Sequence, residues 1–571
     1  MYTHSSKPWA CFSVSVTALV VLAGTTSGAL ASNPLSFAEE AVARGIDYNM
    51  GANYQQFGSG LMLVDLDGDG DLDIVLTGST DLAVGIYEND GTGNFTDRSL
   101  GSGITNGLPI SGLSAADYDN DGDNDILING WLVPTRLYRN DGNFTFTDVA
   151  PAAGIDVNAP SFASSWGDID ADGNLDLYAS VRTFFNADPT RNFFFYNNGD
   201  GTFTDRGAEL GIDAEDDPTL LSSFFDYDRD GDDDLYLGTD KGSAGVFYNR
   251  LYRNDGGTFT EVTSEANAFA YVDCMGIAVG DINFDGYFDL YVTNTPPGNK
   301  LLMHDGVSAY TDETIPAGVG SYRVGWGAVF ADFDNDTHLD LYVCNMMGEN
   351  RLYRGSSAWP LIDEAPSAGV DEMSDVFCVA VGDIDGDNDL DMLVGGTDTK
   401  IQIYINNSVD LQTNNWVRFN VVGNNANAFA IGTCVDIKAG GKSQLREVRA
   451  GVNYKAQDEY TLHFGLADQK SVDVVTAVYT GGETRRLYGA PANQTWTIYP
   501  EARLGDPNGN GRIDWYELSA AIAAKTAPGA KIVPGQEIFD MDGDFDIDND
   551  DLEAMGLGIR VPSLKGFSPG P

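Results

Sequence analysis

Asp65-Leu-Asp-Gly-Asp-Gly-Asp-Leu-Asp73 decides the fold, because the same nine-residue pattern returns six more times along the chain. The further copies are DYDNDGDND from Asp117, DIDADGNLD from Asp168, DYDRDGDDD from Asp226, DINFDGYFD from Asp281, DFDNDTHLD from Asp332 and DIDGDNDLD from Asp383. Successive starts lie 52, 51, 58, 55, 51 and 51 residues apart. A period near fifty residues is that of one four-stranded propeller blade.

The flanks of each block carry strand signals. Small and apolar residues precede it, as in Trp326-Gly-Ala-Val-Phe-Ala331, and β-rich runs such as Leu175-Asp-Leu-Tyr-Ala-Ser-Val181 follow. A third run ends in Asn-Asp-Gly, a turn signal, after Leu137-Tyr-Arg and Leu251-Tyr-Arg. A fourth begins at Phe95, Phe146, Phe203, Phe259, Tyr310 or Leu361, and usually reaches Gly-Ile or Gly-Val nine residues on. The seventh repeat lacks that run, yet Phe37 to Ile46 supplies one ahead of the first loop. The mature N-terminus is therefore expected to complete the last blade and close a seven-bladed β-propeller, which protects its edges.

Alternating carboxylates on a tight loop suit calcium, which takes six to eight hard oxygen ligands. Positions 1, 3, 5 and 9 supply the candidate ligands. In the first four loops these are Asp65, Asp67, Asp69 and Asp73; Asp117, Asp119, Asp121 and Asp125; Asp168, Asp170, Asp172 and Asp176; and Asp226, Asp228, Asp230 and Asp234. The remaining loops offer Asp281, Asn283, Asp285 and Asp289; Asp332, Asp334, Asp336 and Asp340; and Asp383, Asp385, Asp387 and Asp391. Glycine at position 6 permits a positive φ. Thr337 holds that place in loop 6 and, being β-branched, should resist it, which marks loop 6 as the weak or vacant site. Asn388 in loop 7 is tolerable there.

These loops resemble the FG-GAP/VCBS repeats of integrin α-chain heads and of many secreted bacterial proteins, over about residues 35–407. The resemblance implies a calcium-stabilised propeller used for adhesion and ligand binding. Unlike the integrin pattern, the loop here stands in every repeat.

Composition agrees with an exported binding protein. The chain of 571 residues has 86 acidic against 32 Lys and Arg residues, a formal charge of -54, which disfavours nucleic acid as a partner. Lys7, the apolar run Trp9–Gly24 and Ala29-Leu-Ala31 read as a secretory signal over 1–31, and no later stretch is long enough to span a bilayer. Cys274, Cys344, Cys378 and Cys434 remain after its removal; a Cys344–Cys378 bridge and buried thiols are both compatible with the pattern.

The propeller is expected over 32–410, followed by a small β domain over 411–502. Ala430-Ile-Gly-Thr, Arg446-Glu-Val-Arg-Ala-Gly, Leu462-His-Phe-Gly-Leu and Ala492-Asn-Gln in it resemble the ASPIC/UnbV domain. His463 lies in an apolar strand and reads as structural, and no catalytic constellation is evident.

Residues 503–557 carry two twelve-residue loops and should form a small α-helical calcium module, with 558–571 a tail. The first offers Asp506, Asn508, Asn510, Asp514 and Glu517; the second offers Asp540, Asp542, Asp544, Asp548 and Asp551, with Phe545 where glycine is expected. The pair resembles EF-hands or a dockerin, and the latter would imply a cohesin-like partner. Up to about nine calcium sites follow from the loops of both kinds. Extracellular sites of this kind hold calcium with Kd of roughly 0.1–1 mM. The expected role is extracellular binding or adhesion toward a protein or glycan, through a propeller face or channel rim. The alternative is a polysaccharide-active enzyme or a component of an enzyme complex.

Overall fold

The computed structural model describes residues 33–51, 60–78, 83–131, 133–155, 157, 159–182, 191–214, 216–397, 399–424, 426–504, 520–521, 523–524, 531–547, 551 and 554–555. Residues 1–31, expected as a secretory signal, the first twelve-residue loop with Asp506, Asn508, Asn510, Asp514 and Glu517, Asp548 and the expected tail 558–571 lie outside the described residues.

Between Phe37 and Asn406 the chain forms seven four-stranded antiparallel units, six of them from four consecutive strands. The first strand of each unit is Leu61–Val64, Ile110–Ala116, Ser161–Gly167, Thr219–Phe225, Ile277–Gly280, Val324–Ala331 and Asp375–Gly382. First strands of neighbouring units, other than the fourth and fifth, pack side by side, including Leu61–Val64 against Asp375–Gly382. Phe225 and Phe288, with ring centroids 6.0 Å apart, join the fourth unit to the fifth.

Burial falls from first strand to fourth. Ser161–Gly167 and Asp176–Val181 are buried along their whole length, Phe193–Asn197 alternates, and Phe203–Asp205 buries only Phe203. A strand covered on both faces by neighbouring sheets needs apolar or small residues at every position, whereas an outer strand needs only one anchor.

The expected closure is present. Phe37–Glu39 pairs antiparallel with Gln402–Asn406, in register Phe37 with Asn406 and Glu39 with Tyr404, so the outer strand of the last unit comes from the beginning of the described chain. The recurrent Gly-Ile and Gly-Val has a local cause. Ala150–Ala153, Gly207–Leu210, Thr314–Ala317 and Ala365–Ala368 are single helical turns, each ended by a glycine with φ between 72° and 82°. That left-handed cap turns the chain inward and buries Ile155, Ile212, Val319 and Val370 completely or nearly so.

Beyond the propeller-like body lie two sheets. One joins Asn415–Val421 to Leu462–Ala467 and Thr495–Ile498; the other orders Lys442–Glu447, Cys434–Ala439, Ser471–Val478 and Thr484–Pro491. Among the described residues no disulfide forms, and Cys274, Cys344, Cys378 and Cys434 are all buried thiols. No described helix is long and apolar enough to cross a membrane.

The link between Lys442–Glu447 and Leu462–Ala467 is the unexpected element. Its Ala456–Gln457 pairs parallel with Leu61–Met62 of the first unit. Ala450 bridges to Trp166, Asn453 Nδ2 donates to Val379 O at 2.8 Å, and Arg449 Nη2 donates to Val279 O at 3.1 Å. Tyr454 packs on Trp326 at 5.1 Å, the Asp226 amide donates to Glu447 Oε1 at 3.1 Å, and Tyr460 Oη donates to Ala115 O at 2.8 Å. All seven units are touched at or beside their first strands. Residues 447–460 thus cross the first strands of all seven units from the loop side.

Candidate metal centres

Each nine-residue loop joins a first strand to a second, and its position 9 is the first residue of the second strand. Asp73, Asp125, Asp176, Asp234, Asp289, Asp340 and Asp391 are buried there. One carboxylate oxygen of each accepts the amide of loop position 2, at 2.8–3.4 Å. Its other oxygen accepts an amide of the third strand or the residue after it, at 2.7–2.9 Å. Position 9 therefore clips loop to sheet before any ion is considered.

Position 1 organises the rest of the loop. Its Oδ2 accepts the amide of position 6 in all seven loops, at 2.9–3.2 Å. Position 5 in turn accepts the amide of position 7 at 2.8–3.1 Å. This winding needs two left-handed residues. Position 6 has φ between 71° and 98° throughout, and position 4 has φ between 57° and 77°, with Asn120, Ala171, Arg229, Phe284 and Asn335 among its occupants. The expectation that Thr337 would resist positive φ is corrected: it adopts φ 89° and makes the same bond to Asp332 as its counterparts. Tertiary contact supplies the support, since Lys442 Nζ from the β domain donates to Thr337 Oγ1 at 2.6 Å.

The loops converge oxygens. Asp65, Asp67 and Asp73 bring one oxygen each within 4.8 Å of one another, as do Asp117, Asp119 and Asp125; Asp168, Asp170 and Asp172; Asp226, Asp228 and Asp230; and Asp332, Asp334 and Asp340. Asp119 Oδ1, Asp168 Oδ1, Asp170 Oδ1, Asp228 Oδ1 and Asp385 Oδ1 are buried with no hydrogen-bond partner. A set of hard anionic oxygens, several desolvated and unsatisfied, fits a divalent cation such as calcium. Burial, reinforced by neighbouring carboxylates, pushes Asp73 up to about 8, Asp125 to about 9, Asp168 to about 7, and Asp117 and Asp228 to about 6. Such carboxylates are costly as bare anions and are stabilised by a cation among them.

Loops 6 and 7 have arginines on their carboxylates, Arg44 pairing with Asp385 at 2.9 Å and Arg418 with Asp383 in loop 7. In the second and fourth units the third-strand arginine turns outward, Arg139 pairing with Asp141 at 2.6 Å and Arg253 with Asp255 at 2.8 Å. The sixth unit has Gly355 and Ser356 where those turns have Asn-Asp. Arg354 instead reaches Asp334 at loop position 3, and also Asp410 at 3.2 Å. His463 is buried and shares a hydrogen bond of 2.6 Å with Asn335 of the same loop, which gives it the structural place its strand predicts.

A ladder of asparagines escaped the sequence reading, which took them only for turn formers. Asn140 Nδ2 donates to Leu66 O, Asn197 to Tyr118 O, Asn254 to Ile169 O, Asn406 to Phe333 O and Asn89 to Ile384 O, all at 2.7–2.9 Å. Each bond ties the third strand of one unit to position 2 of the preceding metal loop, and Asn89 carries the ladder across the closure. The signal is the recurring asparagine before Asp-Gly or Asn-Gly in four units and before Asn407-Ser408 in the seventh. Its partner lies 73 to 85 residues earlier, or 295 later at the closure, beyond any local reading.

In the second twelve-residue loop, Asp540 accepts the amides of Gly543, Asp544 and Phe545 at 2.8–3.2 Å, and Asp551 accepts that of Met541 at 2.7 Å. Phe545 holds the glycine place with φ 61° because its ring is fully buried against Trp496, centroids 4.7 Å apart. Arg485 Nη1 donates to Met541 O at 3.0 Å, and the Tyr488 amide donates to Gly543 O at 2.6 Å. This loop is docked on the chain's own β domain.

The repeats and the β domain each match a known family. The FG-GAP-like repeat family matches residues 65–128, 226–292 and 332–394, and the ASPIC and UnbV family matches residues 423–504. The chain is 25% identical over 345 residues to cartilage acidic protein 1 of Homo sapiens, covering 58% of this chain and 43% of that one. Against cartilage acidic protein 1 of Mus musculus it is 24% identical over 363 residues, covering 58% and 48%. The chain thus spans about half the length of the curated relatives it matches. Among solved structures, BBS1N in complex with ARL6DN covers 66% of this chain and 97% of its own at a TM-score of 0.40 and 11% identity. YCF48 from Cyanidioschyzon merolae covers 61% and 96% at a TM-score of 0.38 and 10% identity.

Proposed function

We propose that this chain, which carries FG-GAP-like repeats and an ASPIC and UnbV domain, is an exported calcium-binding scaffold that presents ligand surfaces outside the cell. In this reading the seven sheets are seven blades, and each metal loop pins the junction of a first and second strand. The observation that carries it is the set of buried, unpartnered carboxylate oxygens on Asp119, Asp168, Asp170, Asp228 and Asp385. Calcium would be held by Asp or Asn at positions 1, 3, 5 and 9, with the position 7 carbonyl beside them.

Loading by calcium also accounts for a folded chain with a formal charge of -54. Each divalent ion offsets part of a local cluster that otherwise repels itself. Because residues 447–460 cross the first strands on the loop side, the ligand surface lies on the outer faces and at the junction between the body and the β domain. The docked second twelve-residue loop favours a module that serves its own chain over one that recruits a cohesin-like partner.

Calcium stoichiometry by elemental analysis and calorimetry, paired with thermal melting, tests the scaffold reading. Melting should fall on chelation and be restored by calcium in a concentration-dependent manner, as mass action requires. A melt indifferent to chelator and to added calcium would remove calcium from the account.

A further inference from the structure

Position 4 of the metal loops carries side chains that metal binding alone does not call for. The position is left-handed in all seven loops, a conformation that suits glycine and that asparagine tolerates better than most residues. Loops 1 and 7 place Gly68 and Gly386 there. Loops 2 to 6 place Asn120, Ala171, Arg229, Phe284 and Asn335 instead, and alanine, arginine and phenylalanine all resist that conformation.

Each of the five meets the β domain. The Asn427 amide donates to Asn120 Oδ1 at 2.9 Å. Gly481 comes so near Ala171 that a Cβ on it would stand 2.9 Å from the alanine Cβ. Arg229 Nη2 pairs with Asp436 at 2.6 Å, and Lys442 Nζ stands 5.0 Å from the centre of the Phe284 ring. Asn335 O accepts the Ala467 amide at 2.8 Å, and Asn335 Oδ1 shares a hydrogen bond of 2.6 Å with His463. The two glycines differ. A Cβ on Gly68 would meet nothing within 4 Å, and one on Gly386 would meet Gly91 O of the adjoining unit at 2.8 Å. Strained side chains thus stand where the β domain lands, and glycine stands where a side chain would find no β-domain atom.

Position 4 also lies between two candidate ligands, the carboxylates or amide of positions 3 and 5. Its direction therefore follows how those oxygens are gathered. On the premise of calcium loading stated above, the ion gathers them. With the ion removed, neighbouring carboxylates repel, the turn between them relaxes and position 4 changes direction.

We propose that calcium gates the seating of the β domain: loops 2 to 6 in their wound form are its docking surface, read through position 4, and the domain leaves that surface when the loops empty. The proposal rests on the calcium reading of the loops and gives it a consequence beyond stability. Linkage makes the effect reciprocal, so the seated domain tightens calcium in the loops that it touches. The chain then responds to external calcium by covering or uncovering the strand ends that residues 447–460 cross.

The test follows backbone hydrogen exchange in the full chain through a calcium titration. The Asn427, Ala467 and Gly481 amides donate to loops 2, 6 and 4 and report the interface, while Tyr178 and Tyr236 in second strands report the body. On chelation the three interface amides should exchange faster by about tenfold or more, within the range of ordinary coupling between sites, while Tyr178 and Tyr236 stay protected. A double variant, Arg229→Gly with Phe284→Gly, keeps the left-handed turn and gives loops 4 and 5 the residue of loops 1 and 7. It should bind as many calcium ions as the parent chain, yet at saturating calcium its Gly481 and Ala467 amides should exchange about tenfold faster. If the double variant does not fold, the titration of the parent chain decides alone. Calcium that binds and raises melting without changing protection at the three interface amides overturns the gate and leaves the scaffold reading standing. Parent-like exchange in the folded double variant, or loss of interface and body protection together, overturns the gate as well. A chain that takes up no calcium overturns both.

Discussion

At the scale of single residues, Arg354 engages a candidate ligand of loop 6. Its guanidinium lies on Asp334 at position 3, as in loop 7 Arg44 lies on Asp385 and Arg418 on Asp383. Arg354→Ala should therefore raise calcium uptake by one site per chain, or tighten the weakest site, as read by elemental analysis. Unchanged stoichiometry and affinity in a folded variant would show that the guanidinium does not compete with metal. The sequence marks loop 6 through Thr337, yet Thr337 takes its left-handed conformation with help from Lys442, more than 100 residues away, while Arg354 reaches Asp334 from the third strand. Short-range rules see the backbone demand at one position but not the side chain that arrives from a neighbouring strand.

At the scale of elements, the strand Phe37–Glu39 does more than extend a sheet. It covers the edge Gln402–Asn406, and the Asn407 amide donates to Ser36 O at 2.7 Å beside it. Deleting residues 33–40 should leave an unpaired edge, lower the melting temperature and promote association through that edge. Hydrogen exchange at Ile405 and Asn407, whose amides face that strand, should rise first, and unchanged protection there would show that closure is not made by this strand. The asparagine ladder belongs to the same scale. Each rung satisfies a buried carbonyl of the preceding loop, and leaving such a group unmet costs about 1–3 kcal/mol. Two units break the ladder, because His304 and Gly355 occupy the asparagine place.

For the whole molecule, the acidic clusters set the response to pH. In the metal-free chain, burial raises Asp73 to about 8, Asp125 to about 9 and Asp117 to about 6, from an ordinary value of 3.8. The folded state then holds protons that the unfolded state releases, so stability falls as pH rises through that window. Chelated protein should accordingly melt higher at pH 6 than at pH 8, and calcium should abolish or reverse that order, because the ion replaces the protons. Equal dependence with and without calcium would show that these carboxyls do not meet the ion.

The sequence by itself determined the repeat, its count of seven loops, the strands around them and the strand exchange at closure. All of these are written in local periodicity and in one matching deficit and surplus. It also located the β domain, through patterns confined to short windows. Only the tertiary structure decided how the body and that domain join. Residues 447–451 enter the sequence reading only through the ASPIC/UnbV resemblance, and the place of 447–460 across the first strands is set by the carbonyls, amides and aromatic faces those strands present. The acidic loops follow the same division. Their carboxylates are legible as candidate ligands, but the arginines that reach Asp334, Asp383 and Asp385 and the asparagines that hold the loop carbonyls arrive from distant parts of the chain, and a local pattern cannot place a partner that only folding brings near.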